Sequence, residues 1–137
     1  MSLLQNLTHT IYFQLETLQS SYTGLAVNYG LPATPPAGLA IALEHDKTKV
    51  DEQYELAGYR KRPRVFVADV YTTTQADRND ITEAIKNLFE NKMLPVLNAT
   101  RQDTGIVMIS DGVRVEVDLT QRFKARARIY ANTLLLA

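Results

Sequence analysis

Leu4, Leu7, Ile11, Leu15, Leu18, Tyr22 and Leu25 recur at spacings of three and four. That period puts them on one side of an amphipathic helix and predicts one from about residue 2 to residue 22 or slightly beyond. The other side carries Gln5, Asn6, Thr8, His9, Gln14, Thr17, Gln19, Ser20 and Ser21, and Tyr12 and Phe13 add aromatic bulk beside the stripe. Gly24, Gly30, Pro32, Pro35, Pro36 and Gly38 then read as a loop, because glycine and proline break regular structure. Leu39, Ile41 and Leu43 alternate with Ala40, Ala42 and Glu44, which is the period of a short strand. Residues 45 to 63 are polar and highly charged and have no period. They read as a long charged loop or a protruding hairpin arm, a length of connection that is usually functional.

Residues 64 to 72, RVFVADVYT, are rich in β-branched and aromatic side chains and predict a strand. The near-continuous apolar run from Val65 to Ala68 predicts that both of its faces are covered. Thr74 and Asp77 stand in capping-box spacing ahead of a second helix with Ile81, Ala84, Ile85, Leu88 and Phe89 on one face. Pro95 blocks its continuation. Asp111-Gly112, flanked by the apolar runs 106–110 and 113–119, predicts a two-residue hairpin turn. Val113, Val115, Val117 and Leu119 alternate with Arg114, Glu116 and Asp118, and Phe123, Ala125, Ala127 and Ile129 alternate with Lys124, Arg126 and Arg128. The last three strands therefore read as a meander with one buried and one charged face, in which Glu116 lies opposite Arg126 or Lys124. The expected architecture is a single α+β domain spanning residues 1–137, a mostly antiparallel sheet with a C-terminal β-meander, packed by two main helices.

Charge sharpens this picture at the first helix. Fifteen Lys and Arg balance fifteen Asp and Glu over 137 residues, yet Glu16 is the only formal charge before Glu44. An exposed helix normally carries many charges on its outer side. The charge-poor back reads either as the soft polar side of a core helix or as a surface covered by a neighbouring subunit, since interfaces are depleted in charge and enriched in aromatics. Gln5, Tyr12, Gln14, Gln19 and Ser21 are the candidate subunit-interface residues on the second reading. Zero net charge argues against a general polyanion binder. The absence of cysteine excludes disulfides, thiolate chemistry and Cys-based metal sites. No apolar run approaches the ~20 residues that span a bilayer, so no membrane partner is expected. The opening residues lack the positive start and apolar stretch of a secretory signal, and the expectation is a cytosolic product.

Little of the sequence points to catalysis. His45 lies between Glu44 and Asp46, but neighbours on a strand point to opposite faces and converge poorly on a metal. Ser2, Ser20, Ser21 and Ser110 lack nucleophile-elbow glycines. Asp77 and Asp80 are three apart, a spacing open to acid–base or magnesium chemistry, but carboxylates at a helix start already compensate the helix dipole. The six glycines are scattered, so there is no phosphate-cradling loop. No enzyme activity, cofactor or metal is expected. Arg60, Lys61, Arg62 and Arg64 form the densest basic run and are the candidate contacts to a partner or to DNA phosphates. The row Lys124, Arg126, Arg128 is a second basic stripe, balanced by Glu116 and Asp118 on the strand expected beside it.

The order of a long first helix, a strand, a charged segment, the stretch RPRVFVADVYTTTQADRNDITEAIKNLF and a terminal β-meander resembles the tail-terminator proteins of the bacteriophage neck. The resemblance covers most of the chain in size and element order. It implies a non-enzymatic virion protein, assembled in the host cytoplasm, whose subunits form a homo-hexameric ring on the tail tube. Such a ring ends tube growth, offers a docking surface to the head-tail connector proteins and lets genomic DNA pass through its centre without sequence recognition. Residues 45–63 have no counterpart in that pattern. Three other readings stand beside it: another head-tail connector or tail-tube component, a small nucleic-acid-binding module using the basic run and the last strand, and a small hydrolase or nuclease using Asp77 and Asp80.

Overall fold

The computed structural model describes residues 2–32, 34, 36–46, 54–56, 59–117 and 123–136, with side chains for all of these except 54–56, 59–63 and 134–136. Helix α1 (Leu3–Glu16) leads into a 3-10 turn (Thr17–Ser20) and then into β1 (Ala26–Tyr29) and β2 (Ala40–His45). β3 (Tyr54–Leu56) and β4 (Tyr59–Tyr71) precede α2 (Gln75–Phe89), and β5 (Lys92–Leu97), β6 (Asp103–Val117) and β7 (Lys124–Leu136) complete the chain. Among the described residues these strands form one seven-stranded sheet in the order β1-β2-β4-β7-β6-β5, with β3 paired to the outer end of β4. Every pairing is antiparallel except β1 with β2. This is the expected α+β architecture, two helices on a mostly antiparallel sheet with a C-terminal meander, but the meander is made of β5, β6 and β7: the first two expected strands are the single strand β6, and β5 lies where the sequence pattern marks no strand.

Both helices press into one apolar core. Leu7, Ile11 and Leu15 from α1 and Ile81, Ile85 and Phe89 from α2 are fully buried. They meet Ile41, Phe66, Val70, Met108 and Ile129 from the same face of the sheet. Burying each such side chain contributes roughly 1.5–3 kcal/mol. Thr74 Oγ1 accepts the Asp77 N–H at the start of α2 (3.1 Å), as its spacing predicts. Asn91, with φ 54°, turns the chain from the end of α2 into β5. In β7, Ala125, Ala127, Ile129 and Ala131 face the core, so its alternation is as expected. All residues from Val65 to Tyr71 are buried, in line with a strand covered on both faces.

The structure corrects several boundaries. α1 ends at Glu16, not near residue 22, because the Thr17 and Ser20 hydroxyls bond back to the Gln14 and Thr17 carbonyls and tighten the chain into the 3-10 turn. Leu18 and Leu25 stay buried because the chain folds back there, with the Tyr22 N–H on the Leu18 carbonyl. The expected loop contains β1, and the strand expected from Arg64 begins at Tyr59, where the long β7 templates it. The Asp111-Gly112 hairpin is absent. β6 runs straight through as one strand, with a register shift between Ser110↔Ala131 and Gly112↔Tyr130 that leaves Asp111 as the extra residue of a bulge. Asp111 is held there by a hydrogen bond from Asn132 Nδ2. The β5–β6 turn lies at residues 98–102 instead. There Asn98 Oδ1 accepts the Thr100 and Gln102 N–H groups, and Arg101 takes a positive φ of 65°. The β6–β7 connection at 118–122 lies outside the described residues, but Glu116 is opposite Arg126, one of the two pairings the charge rows allow.

Candidate subunit interface

The sheet curls until its two end strands, β1 and β5, both reach α1. Side chains of α1 then satisfy both edges. Thr10 Oγ1 accepts the Leu97 N–H of β5 (2.8 Å) and donates to the Asn6 carbonyl (2.8 Å). On the other side, the Tyr12 hydroxyl donates to the Val27 carbonyl of β1 (3.0 Å). Unpaired edge groups are costly when covered and adhesive when bare, so neutral hydroxyls suit this seam and charges do not. Part of the charge poverty of α1 therefore has a cause within the chain: Asn6, nominally on its back, and Thr10 are buried.

The five sequence-derived interface residues do not form one surface. Gln5 is exposed and closes a capping box with Ser2 (3.1 and 3.2 Å). Tyr12 is half-buried and stacks on Tyr29, ring centroids 4.2 Å apart. Gln14 is half-buried and lies about two and a half helical turns from Gln5, hence on the opposite side of α1. Gln19 and Ser21 lie past the end of α1, both exposed, and Gln19 Nε2 donates to the Leu25 carbonyl (3.1 Å).

An aromatic group gathers where α1 meets β1. His9 Nδ1 lies 2.8 Å from the Tyr29 hydroxyl, and the His9 ring stacks on Phe13 at 6.0 Å. The Arg101 guanidinium sits 4.0 Å above the Phe13 ring and bonds Glu16 Oε1 at 2.9 Å, tying the β5–β6 turn to the helix. Burial, with Tyr12 and Glu16 nearby, pushes the Tyr29 hydroxyl up to about 12. Beside it lies a groove of about 320 Å³ lined by Leu4, Gln5, Thr8, His9, Tyr29 and His45. Tyr29, 48% exposed, belongs to this surface. The sequence pattern missed it because β1 is four residues long and lies among glycines and prolines.

The helix-free face of the sheet is built differently. Asp69 in β4 is 1% exposed and takes Arg126 Nε at 2.7 Å and Nη2 at 3.0 Å, a bidentate pair, with Lys124 Nζ 3.8 Å away. Lys124 also lies 5.1 Å over the Tyr71 ring. Arg128 Nη1 is 2.5 Å from Glu116 Oε1, and that hydrogen bond holds the Glu116 carboxyl below its ordinary range. The row Lys124, Arg126, Arg128 is thus paired across strands, with Asp69 as a partner that sequence reading did not supply. Asp118 lies outside the described residues.

A cavity of about 340 Å³ opens on this face, lined by Leu31, Glu44, His45, Asp46, Val67, Arg126 and Arg128. Its acids and His45 do not converge: His45 packs against Phe66 on the helix side, ring centroids 5.3 Å apart. Among the described residues no group of three or more His, Asp or Glu side chains is placed to hold a metal ion. Of the basic run, Arg60, Lys61 and Arg62 have backbones in the outer half of β4, and their side chains lie outside the description. Arg64 is half-buried opposite Ala131, on the helix-bearing side. Toward the β5 edge the helix-free face turns apolar, with Met93 70% exposed and paired to Ile109, and Pro95 paired to Val107.

This arrangement has known counterparts. A chain from the virion of a native gene transfer agent particle shares the fold, with a TM-score of 0.58 and 16% sequence identity over 96% of this chain and 95% of that one. A second solved chain matches with a TM-score of 0.52 and 11% identity, covering 98% of this chain and 96% of its own. The likeness is one of fold. No family model matches the sequence, and neither does any curated protein. Because both matches run nearly end to end, they take in the helices, the curled sheet and the C-terminal strands together.

Proposed function

We propose that the chain is a structural virion protein of a phage-like particle, a ring-forming tail terminator that caps the tail tube. In this reading its ring is homo-hexameric, presents the docking surface for head-tail connector proteins and lets genomic DNA pass through its lumen. The observation that carries the reading is the near full-length fold match to a chain of a gene transfer agent virion. Two features support it. Asp69, Lys124, Arg126, Arg128 and Glu116 on the helix-free face are engaged in structural pairs, which suits a subunit without an active site. Tyr29, Leu31 and Met93 are large side chains left exposed at separate places on the fold, as residues covered in an assembly would be. Gln5, Tyr12, Gln14, Gln19 and Ser21 are the proposed subunit contacts, on more than one side of α1 and the turn after it, and Arg60, Lys61, Arg62 and Arg64 the proposed contacts to DNA or a neck partner.

The test is done on particles. Removing the protein from a producing cell is expected to give tubes of uncontrolled length that fail to join heads. Tubes of normal length that merely stay unjoined would assign the chain to the connector, and unchanged particles would end the structural reading. A Gln14→Lys, Ser21→Lys variant is expected to fold normally and fail to assemble, because charge without a partner would be buried at the contact. Normal tails in that variant would return both residues to ordinary solvent-facing surface.

A further inference from the structure

We draw no further inference here: the strongest candidate, the exposed apolar patch of Met93, Pro95, Val107 and Ile109 on the helix-free side of the β5–β6 edge, carries none because nothing in the structure shows what covers it.

Discussion

The two faces of the sheet bury their residues by different means. On the helix-bearing face, Phe66, Phe89, Ile85 and Ile129 reach zero exposure against one another, with no formal charge among the residues of that core. On the helix-free face, no helix among the described residues covers β2, β4 and β7, yet Ala40, Ala42, Val67 and Asp69 are also buried. There Arg126 and Lys124 from β7 converge on Asp69, and Lys124 lies over Tyr71. One face excludes water by apolar packing and the other by charged side chains whose heads are neutralised. Apolar packing stabilises by the area it removes from water. A buried ion pair returns about what its desolvation cost and becomes expensive only when one partner is removed.

That contrast sets the largest expected effects. Phe89→Ala empties a fully buried site between α2 and the sheet and should cost about 3–5 kcal/mol in chemical denaturation. Arg126→Met should cost less, about 2 kcal/mol, since it leaves the Asp69 carboxylate buried with only Lys124 at 3.8 Å. The arginine side chain is itself about a third exposed, which weakens the pair by solvent screening. The contrast sharpens in the double variant Asp69→Leu, Arg126→Met, which should recover most of the loss. Phe89→Ala has no such partner. If the double variant is no better than Arg126→Met alone, the helix-free face is held by packing and not by charge compensation.

The same contrast explains what sequence reading could and could not see. α2 and β7 were legible because each has one fully buried side, and burial imprints a clean period of 3.6 or 2. Parity restricts the partner of Glu116 to Arg126 or Lys124, and the register of β6 on β7 selects Arg126. Asp69 was illegible as a partner because Arg126 is 57 residues away, and only the register of β4 on β7 brings them together. The bulge resembles a hairpin in sequence because an Asp-Gly between apolar runs fits both. What decides is the length of β7, which pairs β6 on both sides of Asp111. The actual β5–β6 turn hid because it places Arg101, not glycine, at positive φ and relies on the Asn98 side chain. The seam was partly legible. The charge depletion of α1 could be seen, but its intrachain cause could not, because the curl of the sheet is not written in any local pattern.

Thr10→Val probes that seam at nearly constant volume. It removes the acceptor of the Leu97 N–H while keeping the side chain's shape. Leaving a covered donor unpaired should cost about 1–3 kcal/mol. It should also raise hydrogen exchange at Leu97 well above that at Val96, whose side chain is in the core. Unchanged exchange at Leu97 would mean that α1 covers the β5 edge without satisfying it.

The two glycines of β6 give a smaller effect and test the bulge. Gly105 has φ 82°, where a Cβ is strained whatever the space around it. Gly112 has no positive φ, and a Cβ built there meets nothing within 4 Å. Gly105→Ala should therefore destabilise by about 1 kcal/mol. Gly112→Ala should be near neutral, or slightly stabilising because it restricts the unfolded chain. A loss at Gly112 as large as at Gly105 would argue that residues 111 and 112 form a tight turn after all.

The smallest effect lies in the aromatic group at the α1–β1 corner and appears only at high pH. Burial raises the Tyr29 hydroxyl from its ordinary 10 to about 12, so the folded chain disfavours the tyrosinate that the unfolded chain forms freely. The contribution of Tyr29 to stability is complete below pH 10 and is lost as the pH rises toward about 12. Burial shifts Tyr12 and Tyr22 in the same direction, so the fall is shared. Tyr29→Phe removes one of the shifted groups and the hydroxyl beside His9 Nδ1. It should make the alkaline loss of stability shallower while leaving the midpoint near pH 7 almost unchanged, because Tyr29 is about half exposed. Tyrosinate absorbance during an alkaline titration of the folded protein reads the same group directly. If one tyrosine fewer than in the wild type ionises late in Tyr29→Phe, the corner is as ordered as the core beneath it. If the late-ionising fraction is unchanged, Tyr29 titrates as a free surface phenol and its stack on Tyr12 adds nothing to the seam.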